Sequence, residues 1–149
     1  MNRNFNKNDP TYMAPSPIGR LLRIIGNDCY AYSGNGSFND TARTLLDFHT
    51  GSEVIKGTWY PYRNDNDSLD SSHRIYFNDI IVQEMKLGSG GSNWGGKSPE
   101  VLIPPFTHVK ATIINVSNTS NGNGAISFTG KVTRGDDPNR PFPVTEQLL

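Results

Sequence analysis

Arg74-Ile75-Tyr76-Phe77-Asn78-Asp79-Ile80-Ile81-Val82-Gln83-Glu84-Met85 is the stretch on which the fold turns. Two runs rich in β-branched and aromatic residues flank the dipeptide Asn78-Asp79. Asn and Asp tolerate the positive φ that a primed two-residue turn requires, so the spacing predicts a tight antiparallel hairpin. Glu100 to Val109 and Ala125 to Val132 continue in the same style, which makes the chain an all-β scaffold with little room for a buried catalytic apparatus.

Outward from the hairpin, strands are expected at Arg20 to Ile25, Cys29 to Ser33, Thr41 to Phe48, Glu53 to Tyr60, His73 to Phe77, Ile80 to Leu87, Glu100 to Ile103, Thr107 to Val116 and Ala125 to Thr133. Gly, Asn, Asp and Ser fill the gaps, and no helical period of useful length competes. In the last run Ile126, Phe128, Gly130 and Val132 fall on one face and Ser127, Thr129 and Lys131 on the other, the pattern of a sheet with one wet side. From Val109, Ala111, Ile113 to Ile114, Val116 the alternation slips by one residue, which predicts a bulge near Ile113. Short strands without βα alternation favour an antiparallel two-sheet β-sandwich, jelly-roll-like or Ig-like, with a closed barrel as rival.

The 149 residues suit one domain, read as a sandwich over 20–134 between an N-terminal arm, 1–19, and a C-terminal tail, 135–149. Pro10, Pro15 and Pro17 in the first and Pro138, Pro141 and Pro143 in the second block helix and remove ladder donors, so both ends are expected to be extended. A neighbouring subunit or the chain's own domain would hold them. Their apolar residues, Phe5, Tyr12, Met13, Phe142 and Leu148, are the candidate partner-binding anchors, together with Trp94 inside the loop between Asn93 and Gly95.

With 14 basic and 14 acidic residues the formal net charge is zero, so no long-range field gathers phosphates or an anionic bilayer surface. No nucleic acid and no membrane are expected as partners. Near-neutrality also weakens repulsion between copies, which suits a subunit of an assembly. Cys29 is the single cysteine and allows no intramolecular disulfide. The N-terminus has no apolar signal-like core and no run approaches the roughly 20 apolar residues of a spanning helix, so synthesis in the cytoplasm without a cleaved signal peptide is expected.

Chemistry-bearing motifs are sparse. Gly88-Ser89-Gly90-Gly91-Ser92 lacks the Gly-x-Ser-x-Gly elbow and reads as a flexible loop. Asn64-Asp65-Asn66-Asp67-Ser68-Leu69-Asp70 crowds oxygen donors but misses the Gly and Glu of an EF-hand, so it reads as a solvated loop. His49, His73 and His108 lack metal-ligand spacing, and Asp47 reads as a strand end. No catalytic residue, metal or cofactor is assigned. Arg134-Gly135-Asp136 matches an integrin-binding tripeptide and equally an ordinary turn. Asn-x-Ser/Thr acceptors at Asn35, Asn39, Asn66, Asn115 and Asn118 matter only in a secreted protein.

The strand pair around Asn78-Asp79, the run Val101-Leu102-Ile103-Pro104-Pro105-Phe106-Thr107 and the closing Ile126-Ser127-Phe128-Thr129-Gly130-Lys131-Val132 resemble the small β-sandwich proteins that tailed bacteriophages add to their virions, especially capsid decoration or cement proteins. The resemblance covers about residues 41 to 133. It implies a non-enzymatic clamp, often trimeric, that sits where capsomers meet and binds the major capsid protein or another virion protein. The alternative is a carbohydrate- or host-surface-binding module in a head fibre, tail or receptor-binding protein, with Trp94, Trp59, Tyr60 and Tyr62 as stacking platforms.

Overall fold

The computed structural model describes residues 22–63, 69–88 and 94–133. They form eleven strands: β1 Arg23–Ile25, β2 Asp28–Tyr32, β3 Gly36–Phe38, β4 Arg43–His49, β5 Val54–Arg63, β6 Ser71–Phe77, β7 Ile80–Leu87, β8 Trp94–Gly95, β9 Val101–Ile103, β10 His108–Asn115 and β11 Gly122–Thr133. They build a seven-stranded and a four-stranded antiparallel sheet, packed face to face as a sandwich.

In the larger sheet β11 is the central strand. It pairs with β5 from Gly124 opposite Arg63 to Thr133 opposite Val54, and on its other side with β2 and then β3. β1 extends the sheet beyond β2, while β8 and β9 share the far edge of β5. The smaller sheet runs β4-β10-β6-β7. Where β10 meets β4, Ala111 stands opposite Leu46 and Thr112 opposite Thr44, so the extra residue of the bulge is Leu45 of β4. β10 itself runs unbroken against β6, and the bulge expected near Ile113 falls on its partner strand instead.

Alternation along the strands fills the space between the sheets. β5 turns Ile55, Trp59 and Arg63 inward, β11 turns Ile126, Phe128 and Val132, and β10 turns Val109, Ala111 and Ile113. Trp59 and Phe128 meet at the centre with ring centroids 4.5 Å apart and planes tilted by 49°. Gly57 and Gly130 stand opposite each other beneath the Phe128 ring. A Cβ on Gly57 would lie 2.4 Å from that ring's Cζ, so glycine is what lets the phenyl sink onto the sheet.

Arg63 is the charged residue of this interior. Its guanidinium donates to the carbonyls of Leu69, Leu87 and Gly88 at 2.5, 3.1 and 3.1 Å, tying the end of β5 to the start of β6 and the end of β7. Five donors in a rigid fork suit that role better than a lysine would.

Candidate ligand-facing surfaces

Two-residue periodicity decides what the outer face of the larger sheet carries. Cys29 and Ala31 of β2 point into the core, so Tyr30 and Tyr32 point out. On β5, Trp59, Pro61 and Arg63 point in, so Tyr60 and Tyr62 point out. Ser127 of β11 stands opposite Tyr32 on one side and Tyr60 on the other, and Ala125 stands opposite Tyr62. Small residues on the central strand and rings on its neighbours make a trough of about 670 Å³, lined by Tyr32, Tyr60, Tyr62, Ala125 and Ser127 with backbone from adjoining residues.

Further along this face a shallower depression of about 290 Å³ lies among Tyr30, Lys56, Thr58, Thr129 and Lys131. Its charges satisfy each other. Lys131 donates to Asp28 at 2.7 Å and Lys56 reaches Glu100 at 2.9 Å. The hydrogen bond and charge of Asp28 raise the Lys131 pKa above its ordinary value.

The smaller sheet presents a different surface. Among the described residues β7 ends this sheet on the side away from β4, and it exposes Ile80, Ile81 and Val82 in succession. A bulge in β7, where Ile75 opposes Gln83 and Tyr76 opposes Ile81, breaks the alternation. Phe106 is 76% exposed and holds a φ of 52°, in a loop whose backbone N–H donates to Gly51. A bulky residue in the left-handed region is uncommon.

Folding brings together histidines that are distant in the sequence. His49 and His108 stack with centroids 4.4 Å apart, and His108 Nε2 lies 2.6 Å from the Asp47 carboxylate. The nearby Thr50 hydroxyl donates to the Pro104 carbonyl and accepts from the Thr107 N–H, so backbone bonds occupy it. The pair ties β4 to β10. Among the described residues no group of three or more His, Cys, Asp or Glu could hold a metal ion. His73 is elsewhere, buried in β6 with Nε2 donating to the Ala125 carbonyl at 3.1 Å. Burial pushes the Cys29 thiol up to about 11, with the Asp28 charge adding to the rise. It is therefore a neutral, unreactive thiol at pH 7.

Of the expected anchors, Phe5, Tyr12, Met13, Phe142 and Leu148 lie outside the described residues, as do Arg134-Gly135-Asp136 and residues 64–68 and 89–93 of the two polar loops. Trp94 belongs to β8, its backbone opposite Arg63, and not to a loop as the glycine-rich flanks suggest. Trp59 is no stacking platform: it is fully buried, because the parity that exposes Tyr60 and Tyr62 turns it inward. Sequence reading missed Tyr30, Tyr32 and Phe106 as exposed aromatics. The Tyr-x-Tyr repeats at 30–32 and 60–62 were the available signal; their approach across β11 was not.

These features define the chain as an antiparallel two-sheet β-sandwich. No protein-family model matches it, and no curated sequence does. The fold is similar to part of a chain in the structure of infectious bursal disease virus, Gx strain, with 14% identity and a TM-score of 0.50 over 74% of this chain and 33% of that one. This chain thus spans about a third of the length of that viral protein. Looser likenesses reach a Bacillus endospore appendage protein that forms disulfide-linked pili, at 10% identity and TM-score 0.44, covering 71% of this chain and 88% of that one. Another is a Podospora anserina GH26-CBM35 β-(1,4)-mannanase, at 10% identity and TM-score 0.39, covering 85% and 26%.

Proposed function

We propose that this chain is a non-enzymatic structural subunit of a virion, a decoration or cement protein that binds between capsomers of a phage shell. The observation that carries the reading is the strand order. β2-β11-β5-β9 facing β4-β10-β6-β7 is in keeping with the wiring of a jelly roll made from two Greek keys, an architecture used by viral capsid and lectin domains. The likeness to a chain of infectious bursal disease virus is in keeping with it.

Fold leaves function open, and the surface narrows it. Among the described residues β7 ends its sheet, with Ile80, Ile81 and Val82 exposed beside it, suited to pairing with an incoming polypeptide arm. The proline-punctuated ends supply arms with Phe5, Tyr12, Met13, Phe142 and Leu148 as anchors. The partner is the major capsid protein or another virion protein, the subunit is a homo-oligomer, a trimer by preference, and its place is the virion, assembled in the host cytoplasm. Such a subunit acts by mass action: whatever binds assembled shells and not their dissociated parts shifts the equilibrium toward assembly.

The test uses shells assembled from the major capsid protein of the same source. The full chain is expected to co-sediment with them to saturation, and a chain lacking residues 1–17, folded by circular dichroism, is expected to stay in the supernatant. Equal occupancy by both chains, or no binding of the full chain, overturns the reading.

A further inference from the structure

We propose that the trough formed by Tyr32, Tyr60 and Tyr62 is a binding site for a neutral oligosaccharide of hexopyranose rings. This goes beyond the structural role and does not depend on it.

Shape comes first. Ser127 separates Tyr32 from Tyr60 across one row of the sheet. With strands about 4.8 Å apart, the two tyrosines rise from positions ~10 Å apart, and Tyr62 stands ~7 Å along β5 from Tyr60. Ala125 and Ser127 keep the floor low. The volume of about 670 Å³ falls within the roughly 300–1,000 Å³ usual for small-ligand sites.

Chemistry selects the occupant. A pyranose presents C–H faces that stack on aromatic rings and a rim of hydroxyls that need donors and acceptors in the ring plane. The trough supplies three phenol rings, and no protein hydrogen bond among the described residues occupies the hydroxyls of Tyr32, Tyr60, Tyr62 or Ser127. Among the described residues none that lines it carries a carboxylate, ammonium or guanidinium, so these residues offer nothing to stabilise the charge of a sialic acid, a uronic acid or a phosphate. Lys56 and Lys131 of this face lie in the neighbouring depression, paired with Glu100 and Asp28. A peptide finds less. Both edges of β11 are hydrogen-bonded to other strands, so the trough offers no free ladder for an added one.

Cellohexaose, mannohexaose and maltohexaose are titrated into the full chain by calorimetry, with sialyllactose and a proline-rich peptide of residues 8–19 as competitors. At least one neutral oligosaccharide is expected to bind saturably, with a dissociation constant of about millimolar or below. Tyr32→Ala and Tyr60→Ala should each weaken binding about tenfold or more, while Tyr30→Ala, on the same face but outside the trough, should leave it unchanged. All three tyrosines are exposed, and circular dichroism verifies that the variants fold. Absence of saturable binding by all three neutral sugars, equal affinity in Tyr32→Ala and the unchanged chain, or displacement by sialyllactose or the peptide at lower concentration than by the sugar itself overturns the site. Shell binding is measured separately, so failure here and failure of the structural role are distinguishable.

Discussion

His73 shows how one buried side chain couples this fold to pH. Its ring is buried in β6, Nε2 donates to the Ala125 carbonyl, and Nδ1 has no hydrogen-bond partner among the described residues. Burial drives its pKa from 6.5 down to about 4, outweighing the pull of the Ala125 and Tyr62 carbonyls, and the Arg63 cation adds to the lowering. A ring with its folded value below its unfolded value binds fewer protons when folded, so stability rises with pH between about 4 and 6.5 and is level above that. Over this window the slope is about 1.4 kcal/mol per pH unit, roughly 3 kcal/mol in all. Urea midpoints measured from pH 7.5 to 4 should therefore fall more steeply for the unchanged chain than for His73→Gln; parallel curves would count against a neutral buried imidazole. In sequence, His73 was one of three scattered histidines, and nothing local distinguished it from His49 and His108, which ended stacked near the surface. Burial was decided by the strands that closed over it.

At the scale of elements, the β6–β7 hairpin and its turn were legible, though not the two extra residues at the start of β6 or the bulge in β7. Asn78 and Asp79 adopt φ of 50° and 67°, the turn that their positions predict, and the flanking strands run Ser71–Phe77 and Ile80–Leu87. Asn78 adds a second contribution: its Oδ1 accepts from the His108 N–H at 2.9 Å, fastening the turn to β10. Asn78→Ala should lose both the tolerance of the left-handed region and this bond, about 1–2 kcal/mol, whereas Asn78→Gly should lose less because glycine keeps the conformation. Urea denaturation of the two variants ranks the effects, and a larger loss in Asn78→Gly would contradict the account. β3 and β8 escaped sequence reading for a physical reason. Gly36-Ser37-Phe38 and Trp94-Gly95 have the composition of turns and are too short for periodicity to register. β3 becomes a strand because β11 extends past the end of β2, and β8 because β5 extends past β9.

The whole molecule stands on contact between the sheets. Phe128 comes from the longest strand of one sheet and packs on Trp59 in a cluster that includes Ile75, Val109 and Ile113 of the other. Phe128→Ala should cost about 3–5 kcal/mol, since the rigid surroundings collapse only partly into the space left. Far-UV dichroism and the fluorescence change on unfolding should still give coincident midpoints, because neither sheet has a core of its own. Separate transitions would mean that the sheets melt independently. What the sequence by itself determined was the strand chemistry: which runs extend, where the chain turns, and which residues of a run share a face, all set by backbone sterics and two-residue alternation over a few neighbours. Only the tertiary structure decided that Tyr32, Tyr60 and Tyr62 share a trough, that Trp59 lies in the interior, and that β7 comes last in the described four-stranded sheet. Those facts depend on which strands lie side by side, and pairing between strands distant in the chain is selected by burying both sheets against each other, an energy that belongs to no single segment.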